Sequence, residues 1–329
     1  MAELNLLQAV HQALDEEMAR DDSVLLVGVD ISVKGGVFRA TAGLLEKFGP
    51  ERVKDAPLSA AALVGVSLGM ALYGLKPVCE VQLVDFIYPA FNQIVSEAAR
   101  VHYRSLGEWR APLVIRAAYG GGLGGGLYHS QSVEAFFSHV PGLKVVVPSN
   151  PADAKGLLKS AIRDPNPVLF LEPKRGYRLL KGEVPEGDSL VPIGPAAVTH
   201  PGSDVSVFCY GMLHEFAVRA AAELEVEGIQ AEVVDLRTLL PVDEETILSS
   251  VRKTGRALIV HEDTLTGGYG AEIAARIAEK AFSSLRAPVR RLTGPDVPAV
   301  PFSAPLQDWF LPDTEKIKTA LRALVQSNP

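Results

Sequence analysis

The chain has 329 residues, enough for about two domains with sizeable cores. Its 32 Lys+Arg against 39 Asp+Glu leave a formal charge of -7, without the basic surplus of a nucleic-acid binder. With 47% hydrophobic and 22% charged residues it reads as a globular protein rather than a disordered one, and no uninterrupted apolar stretch is long enough to span a bilayer.

Residues 4–20 place Leu7, Val10, Leu14 and Met18 at helical spacing, with acidic residues on the other side. Short apolar runs follow at 24–27, 77–83, 113–117, 143–147 and 168–171, each trailed by a helix-like stretch. Continuous apolar strands alternating with helices predict a mostly parallel sheet covered on both faces. Residues 174–203 break the pattern with many Pro and Gly, and read as a long connection between domains. The alternation restarts with strands at 205–210, 231–236, 257–260 and 289–292. Helices are expected at 213–227, 243–253, 271–282 and 312–325. The fold class is therefore α/β, in two domains that each carry a mostly parallel sheet.

Ligands of such sheets sit beyond the carboxyl ends of the strands. That rule singles out Gly28-Val29-Asp30, the segment 82–86, the loop 119–129 and Pro148-Ser149. The loop holds six glycines between Gly120 and Gly126 and leads to His129. It satisfies GxGxxG at Gly120, Gly122 and Gly125, but with no helix opening directly after a tight turn; the next helix is expected near His129-Ser130. A mobile segment that delivers His129 to a site accounts for it better than dinucleotide binding. A histidine there titrates in the right range to donate or accept protons.

Other chemistry-bearing residues have plainer readings. Glu80 in VCEVQL reads as a buried, paired carboxylate, with Arg116 in LVIRA its kind of partner. His261-Glu262-Asp263 precedes Gly267-Gly268-Tyr269-Gly270 and a helix, which is either an anion-binding helix start or a plain glycine-assisted turn. Gly65-Val66-Ser67-Leu68-Gly69 has the letters of a hydrolase elbow, but inside an apolar helical run, where small residues serve helix packing. Cys79 and Cys209 lie in apolar runs without metal-ligand spacing, as buried thiols of a reducing cytoplasm do. Met1-Ala2-Glu3 leads straight into the first helix without a signal-peptide pattern, so a cytoplasmic location is expected.

Several long phrases then carry a resemblance: DAPLSAAALVGVSLGMALYGLKPVCEVQ, FIYPAFNQIVSEAARVHYRS, LYHSQSVEAFFSHVPGLKVVVPS, FLEPKRGYR and HEDTLTGGYGAEIAARI. Together they make the chain resemble the beta subunit of the thiamine-diphosphate-dependent decarboxylating component of 2-oxoacid dehydrogenase complexes. YHSQS and FLEPKRGYR are most similar to the branched-chain (2-oxoisovalerate) group, with pyruvate as the other substrate class. The resemblance implies a transketolase-like pyrimidine-binding domain over 1–185, a linker over 186–203 and a transketolase C-terminal-like domain over 204–329. It implies an α2β2 heterotetramer with an alpha subunit that carries the magnesium-diphosphate motif, which this chain lacks. A lipoyl acyltransferase component is the further partner, a small 2-oxo acid the substrate, and neither nucleic acid nor membrane is implied.

Position by position, Phe86 matches the aromatic residue that stacks on the aminopyrimidine, and Val29, Leu58, Ala60 and Gln82 match neighbouring cofactor positions. His129 matches the active-site histidine, acting in decarboxylation or acyl transfer. Ala161, Ile162, Asp164 and Asn166 match a loop whose carbonyls hold a structural potassium ion. Two positions depart from the family pattern. Pro57-Leu58-Ser59-Ala60 stands where that pattern reads Pro-Leu-Ser-Glu, and Gly28-Val29-Asp30 where it reads Gly-Glu-Asp. The missing Glu at 60 normally hydrogen-bonds a ring nitrogen of the cofactor and promotes its activation; alanine has no polar atom to do so. Three explanations stay open: a chain that folds and assembles with reduced turnover, another activation route, or an acid from a neighbouring chain. A non-catalytic structural or regulatory paralogue is the alternative function, and a nicotinamide-dependent oxidoreductase rests on the glycine loop alone.

Overall fold

The structure is a computed structural model that describes residues 2–327. Two compact units divide it: residues 1–119 with 136–193, and residues 120–135 with 194–329. Up to residue 193 the elements run β1 (Ala2–Asn5), α1 (Leu6–Arg20), β2 (Val24–Gly28), α2 (Leu44–Phe48), β3 (Val53–Asp55), α3 (Ala60–Leu72) and β4 (Lys76–Val81). They continue with α4 (Val101–Arg104), β5 (Val114–Tyr119), α5 (Glu134–Ser138), β6 (Lys144–Val146), α6 (Pro151–Arg163), β7 (Val168–Pro173), α7 (Gly176–Leu179) and β8 (Lys181–Val184).

The main sheet of the first unit runs in the order β6-β7-β5-β4-β2-β3, with every one of these pairs parallel. Its strands β2, β5 and β7 are buried along their whole length, which is why they read as unbroken apolar runs. Helix α1 starts where Asn5 accepts from the Gln8 amide while the Gln8 side chain accepts from the Asn5 amide, a reciprocal cap. Charge fixes α1 against α6: Glu16 takes the ammonium groups of Lys155 and Lys159, each at 2.8 Å, and Glu17 accepts from Arg163. Both lysines are almost wholly buried, so these contacts replace the water the charges lose.

From residue 194 the elements are β9 (Ala197–His200), β10 (Val205–Cys209), α8 (Met212–Glu225), β11 (Ala231–Asp235), β12 (Thr238–Leu240), α9 (Glu244–Thr254) and β13 (Ala257–Thr264). Then come α10 (Tyr269–Ala281), β14 (Arg290–Gly294), α11 (Ala304–Phe310) and α12 (Thr314–Gln326). A five-stranded sheet runs β14-β13-β10-β11-β9, parallel except for the edge strand β9. Its core joins Val205, Val207 and Val233 of the strands to Leu213, Leu224, Ile317 and Leu321 of the helices.

The two α/β units with mostly parallel sheets match the expected fold class. The stretch 174–203 is less irregular than its composition suggests. β8 pairs antiparallel with β1 from Ala2↔Val184 to Asn5↔Lys181, and β9 pairs antiparallel with β11. Both are short, partly exposed edge strands, Lys-Gly-Glu-Val and Ala-Val-Thr-His, so no apolar periodicity announces them. The helix expected near His129-Ser130 begins instead at Glu134, after a single tight turn over Gly126–Tyr128. Among the described residues no helix is long and apolar enough to cross a membrane.

Candidate active site

Strands β3, β2 and β4 are neighbours in one parallel sheet, so their carboxyl ends converge. Val29 follows β2, Leu58 to Ala60 follow β3, and Gln82 follows β4. These residues line an open cleft of about 610 Å³ with Ser59, Leu63, Glu80, Val81, Asp85, Phe86, Tyr88 and Pro89. Ser59 caps α3 by accepting from the Ala62 amide, which makes Ala60 the first residue of the helix. Phe86 closes a short 3-10 turn over Val84–Phe86 and leaves about a third of its surface exposed (36%). Leu58 stands at the rim, 77% exposed. The Gln82 side-chain amide donates to the Val29 carbonyl at 3.5 Å. All five residues expected at the cofactor therefore fall in one cleft. Its lining joins the apolar Val29, Leu58 and Ala60, the aromatic Phe86 and Tyr88, and the polar Gln82 and Asp85, a mixture that fits a flat heteroaromatic ring.

Below the cleft the expected Glu80–Arg116 pair is present. Arg116 Nη1 donates to Glu80 Oε2 at 2.8 Å. The sequence reading missed the other half of the cluster. Arg116 binds Glu172 in bidentate fashion at 2.7 and 3.0 Å, and the Tyr177 hydroxyl donates to Glu172 at 2.6 Å. Burial pushes the Glu80 carboxyl up, opposed by the Arg116 charge. Burial also opposes the Arg116 charge, but Glu172 and Glu80 more than offset it and hold the guanidinium firmly protonated.

The other expected residues lie elsewhere. Ala161 and Ile162 are buried in the last turn of α6, and Asp164 follows it. The Asp164 amide donates to the Ala161 carbonyl at 3.2 Å, its carboxylate accepts from the Asn166 amide at 2.9 Å, and the Lys144 ammonium lies against it. With that carboxylate already engaged, a cation here would take backbone carbonyls. His129 lies in the second unit, exposed, on the loop whose Gly122, Gly124 and Gly126 take φ of +94, +68 and +57.

Two acids lie near that loop: Glu134, which the sequence reading did not single out, and Glu262, which it named only for the helix start that follows. Buried Glu134 accepts from the Tyr210 hydroxyl at 3.0 Å, and Glu262 accepts from the Gly121 amide at 2.8 Å. Their partners lie 76 and 141 residues away, beyond any periodicity window. Burial, together with the charges of Asp263 and Glu262, raises the Glu134 pKa far above the carboxylate range.

Two further sequence features have a geometric reading. Ser67 of the GxSxG letters is buried inside α3 with its hydroxyl against Cys79, whose thiol is pushed up to about 12 by burial. A Cβ built on Gly69 meets nothing within 4 Å, so that glycine does not serve the close packing expected of it. At the start of α10 the glycines have another cause: a Cβ on Gly268 or Gly270 would lie 2.7 Å from the His261 ring. The glycines make room for a buried imidazole.

Comparison with known proteins gives this geometry a family. Residues 2–179 match the family model for the transketolase pyrimidine-binding domain, and residues 194–317 that for the transketolase C-terminal domain. A solved structure described as a split-gene transketolase, an inactive β4 tetramer, shares the fold, with a TM-score of 0.79 over 99% of both chains at 23% identity. Fold and cleft thus define a transketolase-type protein. The 2-oxoisovalerate dehydrogenase beta subunit of Bacillus subtilis is 52% identical over 326 residues, covering 99% of this chain and all of that one. The pyruvate dehydrogenase E1 component beta subunit of Acholeplasma laidlawii is 45% identical over 329 residues, covering all of both chains. The chain belongs to the family of beta subunits of 2-oxoacid dehydrogenase E1 components, which are oxidoreductases.

Proposed function

We propose that this chain is the beta half of an E1 component that decarboxylates a branched-chain 2-oxo acid oxidatively and passes the acyl group to lipoamide, with pyruvate as the other substrate class. The cleft carries the reading: Phe86, Gln82, Val29, Leu58 and Ala60 would hold the aminopyrimidine end of thiamine diphosphate. The cofactor supplies the carbanion chemistry of decarboxylation. Phe86 offers a ring face for stacking, Gln82 a polar edge, and Leu58 and Val29 exclude water. His129 moves a proton at the substrate or acyl group. Magnesium comes with the alpha subunit of an α2β2 heterotetramer, and potassium sits on the carbonyls around Ala161, Ile162, Asp164 and Asn166. The rim position of exposed Leu58 supports a cleft completed by a second chain. Acyl transfer makes a lipoyl acyltransferase the second partner, and two buried free thiols fit a cytoplasmic assembly.

Ala60 sets the expected rate. It lines the cleft where the family pattern has an acid, so activation of the cofactor loses a hydrogen-bonding acid-base contact, typically ~10²–10⁴-fold in rate. Ala60→Glu places an acid at the first position of α3, where the helix dipole favours it. Co-expressed with a cognate alpha subunit, the A60E assembly should decarboxylate 3-methyl-2-oxobutanoate roughly a hundredfold faster than wild type. A fast wild type unchanged by A60E would mean that another group activates the cofactor. The same apolar positions, Val29 and Ala60, favour a second reading, a non-catalytic paralogue that assembles with an alpha subunit. Absence of turnover in both assemblies would favour it.

A further inference from the structure

The loop that carries His129 is closed on itself and tied down at both ends. The Gly120 amide donates to the Gln131 carbonyl at 2.9 Å, which pinches residues 120–131 into a closed loop. The next amide, that of Gly121, turns away from this closure and donates to Glu262 Oε2 at 2.8 Å. Glu262 lies near the end of β13, in the irregular stretch between the Val260↔Leu292 and Thr264↔Gly294 pairs, and is only 8% exposed.

We propose that Glu262 is the positioning residue of the His129 loop: its carboxylate pins the loop's entry to β13 through the Gly121 amide and so sets where His129 stands. The inference rests on the role proposed for His129.

Three observations carry it. Gly120 has φ +91, and a Cβ there would lie 2.8 Å from Glu262 Oε2, so the backbone approaches this carboxylate as closely as only glycine allows. Leu311 packs on the other side, 3.0 Å from a Cβ built on Gly121, which leaves the loop root one seat. At the exit, Glu134 is wholly buried and accepts from the Tyr210 hydroxyl, next to β10. The span between these anchors holds the exposed residues Leu123, Leu127, Tyr128 and His129 and the left-handed Gly122, Gly124 and Gly126. A flexible span between two fixed points keeps its histidine within reach of one place.

Burial, together with the charges of Asp263 and Glu262, raises the Glu134 pKa to about 8, and burial raises that of Asp263 to about 6. The Glu262 carboxylate meets the Gly121 N–H donor at 2.8 Å. Misplacing a catalytic group by about 1 Å costs on the order of 10²-fold in rate, so a hydrogen bond at the root of a glycine-rich loop has leverage on a side chain eight residues on.

Hydrogen exchange of the full chain in complex with an alpha subunit tests the proposal, read on peptides covering 120–131. Glu262→Ala and Glu262→Leu should speed exchange across the loop about tenfold, while peptides of β10 and β11 exchange as in wild type. Glu262→Gln keeps a carbonyl acceptor and should stay within about twofold of wild type. Where the assembly turns over, E262L should lower kcat with KM for the 2-oxo acid held, and E262Q should restore it. Unchanged loop exchange in E262L, or equal loss in E262Q and E262L, overturns the proposal. Exchange needs no turnover, so an inactive assembly would count against the proposed function and leave the anchor to be judged by exchange alone.

Discussion

Arg116 shows what one buried charge does in this chain. It is 2% exposed and shared between Glu80, which borders the cleft, and Glu172, which it binds through two nitrogens. Arg116→Met keeps the volume but leaves two carboxylates facing each other without a cation. Breaking a buried ion pair from one side costs about 3–5 kcal/mol. Urea unfolding of the variant should show a loss of that size in the first unit, and a loss below about 1 kcal/mol would mean that the cluster is dispensable. Glu80 and Arg116 were legible in sequence because a charge interrupts each of two apolar strands. Glu172 sits just as deeply, one residue from the end of β7, but its run LFLEPKRGYR blends into a polar segment and hid it. Val29 and Ala60 were legible only by their departure from a pattern; nothing in an alanine at a helix start marks it as a site.

At the scale of elements, β13 and α10 are built around His261. Its ring is fully buried and occupies the space that side chains at Gly268 and Gly270 would need. Burial, with the Arg291 charge, lowers its pKa from 6.5 to about 4, against a smaller raising effect from the Asp263 backbone. The sign follows from linkage: the unfolded chain takes up this proton as pH falls below about 6.5, and the folded one only near 4. This histidine therefore costs stability progressively between pH 6.5 and 4, about 3 kcal/mol in all. Denaturant titrations of the second unit should show that acid slope in wild type and a flatter one in His261→Leu; equal slopes would contradict the burial argument. The glycines that allow this packing were visible in sequence, but their reason was not, because the His261 ring reaches them only after strand and helix have folded together. The same limit applied to the edge strands β8 and β9, whose pairing partners β1 and β11 lie far off in sequence. The fully buried strands β2, β5 and β7 needed no partner to be read, since burial on both faces writes an unbroken apolar run.

At the scale of the whole molecule, two α/β units carry different parts of the proposed chemistry. The cleft with Phe86 belongs to the first, and the His129 loop groups with the second although it lies between strands of the first in sequence. The family membership gives both units a common task, and the alpha subunit is the proposed source of the diphosphate-magnesium half. The most direct test is calorimetric binding of thiamine diphosphate with magnesium to the co-purified α–β assembly, compared with the beta chain alone and with an assembly carrying Phe86→Ala. Stacking of aromatic rings contributes about 0.5–1.5 kcal/mol beyond area burial, so F86A should bind roughly two- to tenfold more weakly. The beta chain alone should bind far more weakly than the assembly. Wild-type affinity in the F86A assembly would contradict the account, because the cleft would then not be the seat of the pyrimidine ring, and tight binding by the beta chain alone would contradict the alpha subunit as the source of the diphosphate-magnesium half.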